Sequence, residues 1–337
     1  MSDKFLNLPF NFGDETQQFL GFILERFLEI LHGLKKNALS FTGFVIIAFF
    51  ALIAILAPVL APPTSENPYL IPYYGPVTEI EITPLPTPPS PEHPFGTLAG
   101  YDLYYGCIWG TRTAFIIGLM VVLAELFIGL IMGGIAGYFG GIVDEILMRI
   151  TDIFFAFPGI LLVILLTVAL PNEFPVNLGP LSFSIVVSSI EKLAIALAIT
   201  GWPMYARLIR GEIIRVKNED YIEAARAIGC SNFRIIFRHM LPNSIFPAFV
   251  MAFLDVGGAT LSVATLSFLG FGPKKGYAEW GSLISISRSS IFRSPQEPFK
   301  YLYTLLFPMS FVSAFVLGWS LIGDALRNIL DPMIRRR

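Results

Sequence analysis

Long apolar runs alternate with shorter polar segments along the chain. A helix needs about 20 apolar residues to cross the ~30 Å hydrocarbon core of a membrane. Six runs meet this requirement, and they cover residues 41–61, 113–137, 152–170, 184–205, 243–270 and 301–321. Glu191 and Lys192 interrupt the fourth run, which is retained because the charge distribution requires an even number of spans. The pattern predicts an all-α membrane protein with six transmembrane helices.

Basic residues set the predicted orientation of these spans. Lys35 and Lys36 precede the first run, seven Lys or Arg residues lie within 207–238, and three arginines end the chain. The positive-inside rule favours the cytoplasmic side for such clusters. Six spans bring all three clusters there, so both termini are expected in the cytoplasm. Segment 271–300 is then external, although it holds five Lys or Arg residues against two acidic ones.

The polar segments differ in character. Residues 1–40 form a predicted cytoplasmic segment with an amphipathic helix, which lies either in the membrane interface or against the cytoplasmic face of the protein. Residues 62–111 form a predicted external loop with eleven prolines and no Lys or Arg, a composition that favours extended structure. Residues 138–151 are expected to be a short polar link and 172–181 a turn. Pro158 is expected to kink the third span.

Composition narrows the class of protein. Hydrophobic residues make up 54% and charged residues 14% of the 337 residues, whereas soluble domains carry about a quarter charged residues. The net charge of −2 indicates no nucleic-acid partner. The predicted topology separates Cys107 from Cys230 and the histidines are scattered, so neither a disulfide nor a metal site is expected. The first apolar run is too long and too far from the N-terminus for a cleaved signal peptide, and is expected to be an anchor.

One polar, basic insert separates the fourth and fifth runs. Its first part has four apolar positions at helical spacing, namely Tyr221, Ile222, Ala225 and Ile228. Gly229 allows a turn, and Ser231 is placed to cap a second helix that Pro242 is expected to end. The apolar positions of this second helix are Phe233, Ile236, Phe237 and Met240. Two short helices outside the lipid suit docking to another protein; an ordinary amphipathic interfacial loop is the alternative.

The spacing of residues within the insert is specific. Glu223-Ala224-Ala225 is followed after three residues by Gly229, and eleven residues separate Gly229 from Leu241-Pro242. This arrangement resembles the EAA motif of permease subunits from binding-protein-dependent ABC importers. The likeness extends to the second permease subunit of the dipeptide/oligopeptide (Opp/Dpp) type. The supporting stretches are 93–97, 136–144, 155–158, 201–207, 266–272, 280–281, 323–327 and 330–332.

The resemblance implies an architecture and a set of partners. Residues 112–337 would form the MetI-like transmembrane domain of a type I ABC importer, with cytoplasmic coupling helices in an EAA loop at 206–242. The chain has no G-x-x-x-x-G-K-[ST] motif, so ATP and Mg²⁺ would be bound by two partner ATPases, with no cofactor and no enzyme activity in this chain. A second permease, giving a heterodimer in the cell membrane, and an external solute-binding protein complete the expected partners.

The resemblance also implies roles for single residues. Glu223 would make a polar contact with the ATPase, and Gly229 would form the turn between the coupling helices. Ala224 and Ala225 would provide a face for close packing. The residues expected to couple the chain to the ATPase are therefore Glu223, Ala224, Ala225, Gly229, Leu241 and Pro242.

Some residues depart from the peptide branch of this family. Segment 98–102 lacks the Arg that typically follows the His-Pro-Phe-Gly-Thr stretch, and Val263 stands where a Glu is usual. Glu125 and Asp255 lie instead within the second and fifth predicted spans, where carboxylates are costly and tend to face a cavity or a partner. Both are candidates for the translocation path; the alternative is a helix-packing hydrogen bond or a protonated acid.

The cargo stays open at this point between peptides, short oligosaccharides and nickel. An ion-coupled secondary carrier with Asp255 and Glu125 as a proton relay is a different class, but such carriers usually have paired repeats with broken helices. No convincing internal repeat occurs in this sequence. An intramembrane enzyme is not indicated either, because H-E-x-x-H and G-x-S-x-G are both absent from the sequence.

Overall fold

The computed structural model describes residues 38–75, 84–178, 181–292 and 299–330. The amphipathic helix predicted within the first 40 residues lies outside these ranges, and the last three residues of that segment, 38–40, open the first described helix. The three C-terminal arginines also lie outside them.

Helices dominate the described part of the chain. They are α1 (Ala38–Leu60), α2 (Leu103–Phe139), α3 (Gly141–Ala156), α4 (Gly159–Ala169), α5 (Ser189–Lys217), α6 (Asp220–Ala227), α7 (Asn232–Arg234), a π-helical segment (Ile235–Met240), α8 (Leu241–Ser244), α9 (Phe246–Phe268), α10 (Trp280–Phe292) and α11 (Tyr303–Leu330). Two antiparallel hairpins accompany them: β1 (Thr97–Leu98) with β2 (Tyr101–Asp102), and β3 (Glu173–Leu178) with β4 (Leu181–Val186). The all-α membrane fold is confirmed.

The predicted number of six spans is not confirmed. Within the described residues, four helical stretches are long and apolar enough to cross a membrane: Ala38–Leu60, Leu103–Phe139, Arg238–Phe268 and Tyr303–Asn328. The helices α3 and α4 make a fifth if this bent pair is one span. The helix α5 is long enough but less apolar, because charged residues lie in its first turn and along its C-terminal third.

The third predicted span was wrong in its course. The segment predicted as a polar link is largely helical. Gly140 and Gly141 turn the chain at φ values of 66° and 55°, and α3 begins at Gly141. The axes of α3 and α4 meet at 94°. The break falls at Phe157, whose extended backbone is the conformation favoured before a proline. Pro158 therefore separates two helices and does more than kink one.

The fourth predicted span was wrong in its start. Residues 173–178 and 181–186 form the β3–β4 hairpin where a turn and the beginning of a helix were predicted. The helix α5 begins at Ser189, because Ser188 and Glu191 form a capping box: the Ser188 N–H donates to Glu191 Oε2 at 2.7 Å, and the Glu191 N–H donates to Ser188 Oγ at 3.4 Å. Glu191 starts the helix that it was expected to interrupt.

The proline-rich loop packs onto one end of the bundle, here named the loop end. The Trp109 indole N–H donates to the Ala61 carbonyl at 2.9 Å, and the Tyr105 hydroxyl donates to the Pro68 carbonyl at 2.7 Å. The last nine residues of the predicted loop are the first turns of α2. That helix begins early because Asp102 accepts a hydrogen bond from the Tyr105 N–H at 2.9 Å, while His93 bonds to the same carboxylate at 2.8 Å.

The helices α2 and α5 approach each other closely. A stripe of glycines, Gly129, Gly133 and Gly137, lies on the face of α2 that meets α5. A side-chain carbon at Gly133 would overlap the Ala206 carbonyl, and one at Gly137 would lie 2.9 Å from the Arg210 carbonyl. The two backbones therefore touch, as membrane helices do where small residues recur every four positions.

Two glycines next to each other on α2 test this contact. We expect Gly133→Ala to destabilise the protein by about 1–3 kcal/mol, because the added methyl has no room beside Ala206. Gly134→Ala is the matched control, since no atom lies within 4 Å of a side-chain carbon placed there. Alanine has a greater helix propensity than glycine, so the Gly134→Ala variant should be as stable as the original protein or up to ~1 kcal/mol more stable. Thermal unfolding midpoints of the purified variants in detergent measure the difference, and equal midpoints would contradict the packing.

Candidate coupling surface and buried carboxylate cluster

The first helix of the insert has one buried and one exposed face. Ile222 and Ala225 are buried against the rest of the chain, whereas Tyr221 is 41% and Ile228 80% exposed. The four apolar positions predicted to share a face are therefore divided between two. Acidic residues occupy the first turn of α6, where the helix dipole favours them.

The motif residues divide in the same way. Glu223, Ala224 and Gly229 are exposed, while Ala225 packs inside the chain. A partner that approaches this surface meets Ala224 and not Ala225. Gly229 has a φ of +83°, and the Cys230 N–H donates to the Ala225 carbonyl at 3.0 Å, which closes the end of α6 with a left-handed glycine.

The second helix of the insert differs from its prediction. Ser231 caps it as expected, with Oγ accepting from the Arg234 N–H at 3.4 Å. The helix then widens into the π-helical segment, where the buried residues Ile235 and Met240 are five positions apart. That spacing replaces the predicted period of three and four; the side chains of Phe233 and Phe237 lie outside the described residues.

Pro242 does not end this helix. Helical structure continues through α8 into α9, so the insert and the span form one long stretch from Arg238 to Phe268. The wider π turn precedes the proline, whose ring would clash with the backbone of a regular helix. The Asn243 amide donates to the His239 carbonyl at 2.7 Å and Ser244 Oγ donates to the Met240 carbonyl at 2.8 Å, which satisfies carbonyls beside the break.

Ion pairs fasten the neighbouring helices close to the insert. Arg210 of α5 makes a bidentate pair with Asp144 of α3, one of its bonds being 2.6 Å from Nη2 to Oδ2. Arg207 reaches Asp152 at 2.5 Å. In addition, Lys217 Nζ donates to the Tyr138 carbonyl near the C-terminal end of α2 at 2.6 Å. The sequence indicated these basic residues only as markers of orientation, because their partners are more than 50 residues away along the chain.

The two candidate path carboxylates come together in the bundle. Glu125 of α2 is 5% exposed, and its carboxyl lies beside that of Asp255 on α9. The Tyr205 hydroxyl of α5 donates to Asp255 Oδ2 at 2.9 Å. A side-chain carbon at Gly201 would overlap the Glu125 carboxyl, so only glycine admits it there. We name these four residues the carboxylate cluster.

Sequence reasoning found half of this cluster. Tyr205 and Gly201 belong to the 201–207 stretch that supported the family resemblance, but nothing in the local pattern assigned them to Glu125. The sequence feature that would have linked them is the position of Glu125 four residues before Gly129, which puts the carboxylate in line with the glycine stripe on one face of α2. The cluster joins three helices through polar contacts inside an apolar bundle.

This architecture defines the class: a multi-pass helical membrane protein with a rigidly mounted polar insert at one end. The chain belongs to the family of binding-protein-dependent transport system inner membrane components, whose model matches residues 126–336. A second model, the N-terminal TM domain of oligopeptide transport permease C, matches residues 26–76. The chain is thus a non-catalytic transmembrane permease subunit of a binding-protein-dependent importer, located in the inner membrane.

Named relatives cover nearly all of the chain. A dipeptide transport system permease protein (DppC) of Alkalihalophilus pseudofirmus is 38% identical over 308 residues, which are 91% of this chain and 90% of that protein. An oligopeptide transport system permease protein (OppC) of Bacillus subtilis is 34% identical over 90% of this chain and 88% of its own. A glutathione transport system permease protein (GsiD) of Pectobacterium atrosepticum is 34% identical over 79% and 81%.

A double-mutant cycle tests the packing of the cluster. We expect Gly201→Ala to lower the thermal unfolding midpoint, because its methyl displaces the Glu125 carboxyl. The same change in a Glu125→Ala background should cost much less, since the methyl then enters vacated space. Gly211→Ala, also on α5 but with no atom within 4 Å of a side-chain carbon, is the control for helix propensity. An equal cost of Gly201→Ala in both backgrounds would disprove the contact.

Proposed function

We propose that this chain is the second permease of an ATP-driven importer of short peptides. It works with a different permease chain, two cytoplasmic ATPases that bind ATP and Mg²⁺, and an external solute-binding protein. The observation that carries the proposal is the exposed motif surface of Glu223, Ala224 and Gly229, mounted on helices that run into the bundle. The names of the three relatives, which refer to a dipeptide, an oligopeptide and glutathione, support a peptide cargo.

The orientation proposed for the chain follows from this role. The insert faces the cytoplasm, where ATP is available, and both termini lie on the same side. The loop end then faces outward, towards the solute-binding protein. Seven Lys or Arg residues within 207–238 and their absence from 62–111 support this arrangement.

The coupling mechanism uses two rigid connections. When the ATPases close, they move the insert, and the buried side chains of Ile222, Ala225, Ile235 and Met240 make it move with the bundle. Continuous helix from Arg238 to Phe268 carries the motion directly into the membrane. The pairs of Arg210 with Asp144 and of Arg207 with Asp152 make α3 follow α5. Inward- and outward-facing states then differ by a rigid-body tilt of helices.

The carboxylate cluster lies within the moving part in this mechanism. Asp255 is on α9, which the insert drives, whereas Glu125 is on α2. A tilt of α9 against α2 and α5 would alter the contacts among Asp255, Tyr205 and Glu125. We propose that the cluster borders the translocation path and provides polar groups there.

Co-purification with uptake tests the proposed function. The tagged chain, expressed with its neighbouring transport genes, should be isolated with a second permease and two ATPases. Proteoliposomes containing that complex and the solute-binding protein should transport a labelled peptide only when ATP is present on the side of the membrane where the ATPases lie. Uptake driven by a proton gradient without ATP would support a secondary carrier instead. ATP-dependent uptake of an oligosaccharide or nickel, with no uptake of peptide, would refute the proposed peptide cargo but not the importer function.

Gly229 offers a sharper test of the coupling surface. We expect Gly229→Val to reduce uptake at least tenfold while membrane insertion stays intact, because a β-branched residue at φ +83° costs about 1–2 kcal/mol and distorts the turn. No atom of the described residues outside its immediate neighbours lies within 4 Å of a side-chain carbon at this position, so a clash with those residues does not explain a loss. Gly229→Asn is the matched variant, because Asn tolerates this conformation. Normal uptake by the Val variant would contradict the assignment of this surface to ATPase coupling.

A further inference from the structure

A cavity of about 620 Å³ lies at the loop end of the bundle, away from the insert. Tyr73 and Tyr101 border it from the proline-rich loop, Ser267 from the end of α9, and three serines from one face of α10. Neither Glu125 nor Asp255 lines it. The volume falls within the range of about 300–1,000 Å³ that is typical of small-molecule sites.

One part of the cavity presents hydrogen-bond donors. The Ser267 hydroxyl is buried, with the residue 3% exposed, and lies beside the Glu279 carboxyl. Among the described residues it makes no well-formed hydrogen bond. Lys275 is exposed at the cavity and forms no salt bridge within the described residues. Among the described residues that line the cavity, Lys275 is the charged one, and its ammonium favours an anionic group in this part.

The serine face of α10 presents acceptors. Ser285 Oγ donates its hydrogen to the Phe268 carbonyl at 3.0 Å, and Ser289 Oγ donates to the Ile286 carbonyl at 2.7 Å. Each hydroxyl has a single hydrogen, so both oxygens are left with lone pairs for N–H donors. Together with Ser282 they follow one face of the helix at intervals of three and four, over about 10 Å.

Glu279 fixes the end of this face. Its carboxyl accepts from the Gly281 N–H at 2.8 Å, from the Ser282 N–H at 2.7 Å and from Ser282 Oγ at 3.0 Å. Burial raises the pKa of this carboxyl, and the two backbone N–H groups oppose the shift. The hydrogen of Ser282 is therefore engaged as well, which makes all three serines of α10 acceptors towards the cavity.

We propose that this cavity is an entry site for the cargo on the outer side of the permease, taking short peptides with a free C-terminal carboxylate. Lys275 and Ser267 bind the carboxylate, and Ser285 and Ser289 accept hydrogen bonds from the N–H groups of the peptide. The inference rests on the proposed peptide cargo and deepens it, because it assigns a chemical feature that the cargo must carry.

Binding to the permease complex without its solute-binding protein tests the site. The probe is labelled Ala-Phe, compared with Ala-Phe amide, on the complex in nanodiscs. We expect saturable binding of Ala-Phe and at least tenfold weaker binding of the amide. Lys275→Ala should cause the same tenfold loss, and Ser267→Ala a loss of several-fold. Lys274→Ala is the matched control: it removes an equally exposed, neighbouring charge that does not line the cavity.

Several outcomes would overturn the inference. Equal affinity for Ala-Phe and its amide would show that the site does not recognise the carboxylate. Equal losses from Lys274→Ala and Lys275→Ala would show that the effect depends on overall charge and not on Lys275. An absence of saturable binding would show that the cavity is not a binding site. If Lys275→Ala weakens only the binding of the solute-binding protein to the complex, Lys275 contacts that protein and not the peptide. ATP-dependent peptide uptake by the complete wild-type system is measured in parallel: if it persists, only the entry site is refuted, and if it is absent, the proposed function fails.

Discussion

The backbone contact between α2 and α5 is the constraint on which the rest of the bundle depends. It exists because Gly129, Gly133 and Gly137 remove side chains from one line of α2. Glu125 continues that line by one turn and is therefore pressed against Gly201 of α5, within reach of the residues around Asp255. The carboxylate cluster is thus a consequence of how closely two helices approach, and any loosening of that approach would separate its members.

The same helix pair supports the insert. The helix α5 ends at Lys217, whose ammonium donates to the carbonyl of Tyr138 at the end of α2. The first short helix of the insert, α6, begins three residues later. On its other side the insert passes without interruption into α9. A short polar segment is therefore held between two long helices that meet again at the carboxylate cluster. In the proposed mechanism, this geometry converts a push on a small exposed surface into relative movement of helices in the membrane.

The loop end is built by different forces. Indole N–H groups of Trp109 and Trp280 donate to the carbonyls of Ala61 and Cys107 at 2.9 and 3.0 Å, and the aromatic rings of Phe50, Phe311 and Phe315 surround Trp280. The Trp109 bond, with that of the Tyr105 hydroxyl to the Pro68 carbonyl, fastens the start of the proline-rich segment to α2. The Trp280 contacts hold α1, α2, α10 and α11 together. The cavity lies between the proline-rich segment and α10, and serines, glycines, two tyrosines and Lys275 are among the residues that line it.

The amino-acid sequence by itself determined the membrane class, the helices α1, α2, α9 and α11, the glycine turn of the insert and the motif that identifies the family. These features depend on local hydrophobicity or on fixed spacing. Only the tertiary structure decided that α3 is a helix fastened by Asp144 and Asp152, and that Ala225 faces inward. The reason is physical: hydropathy records an average preference for lipid, whereas these outcomes depend on which distant side chain or backbone group lies opposite each residue. The pairing of Glu125 with Asp255 across 130 positions is of this second kind.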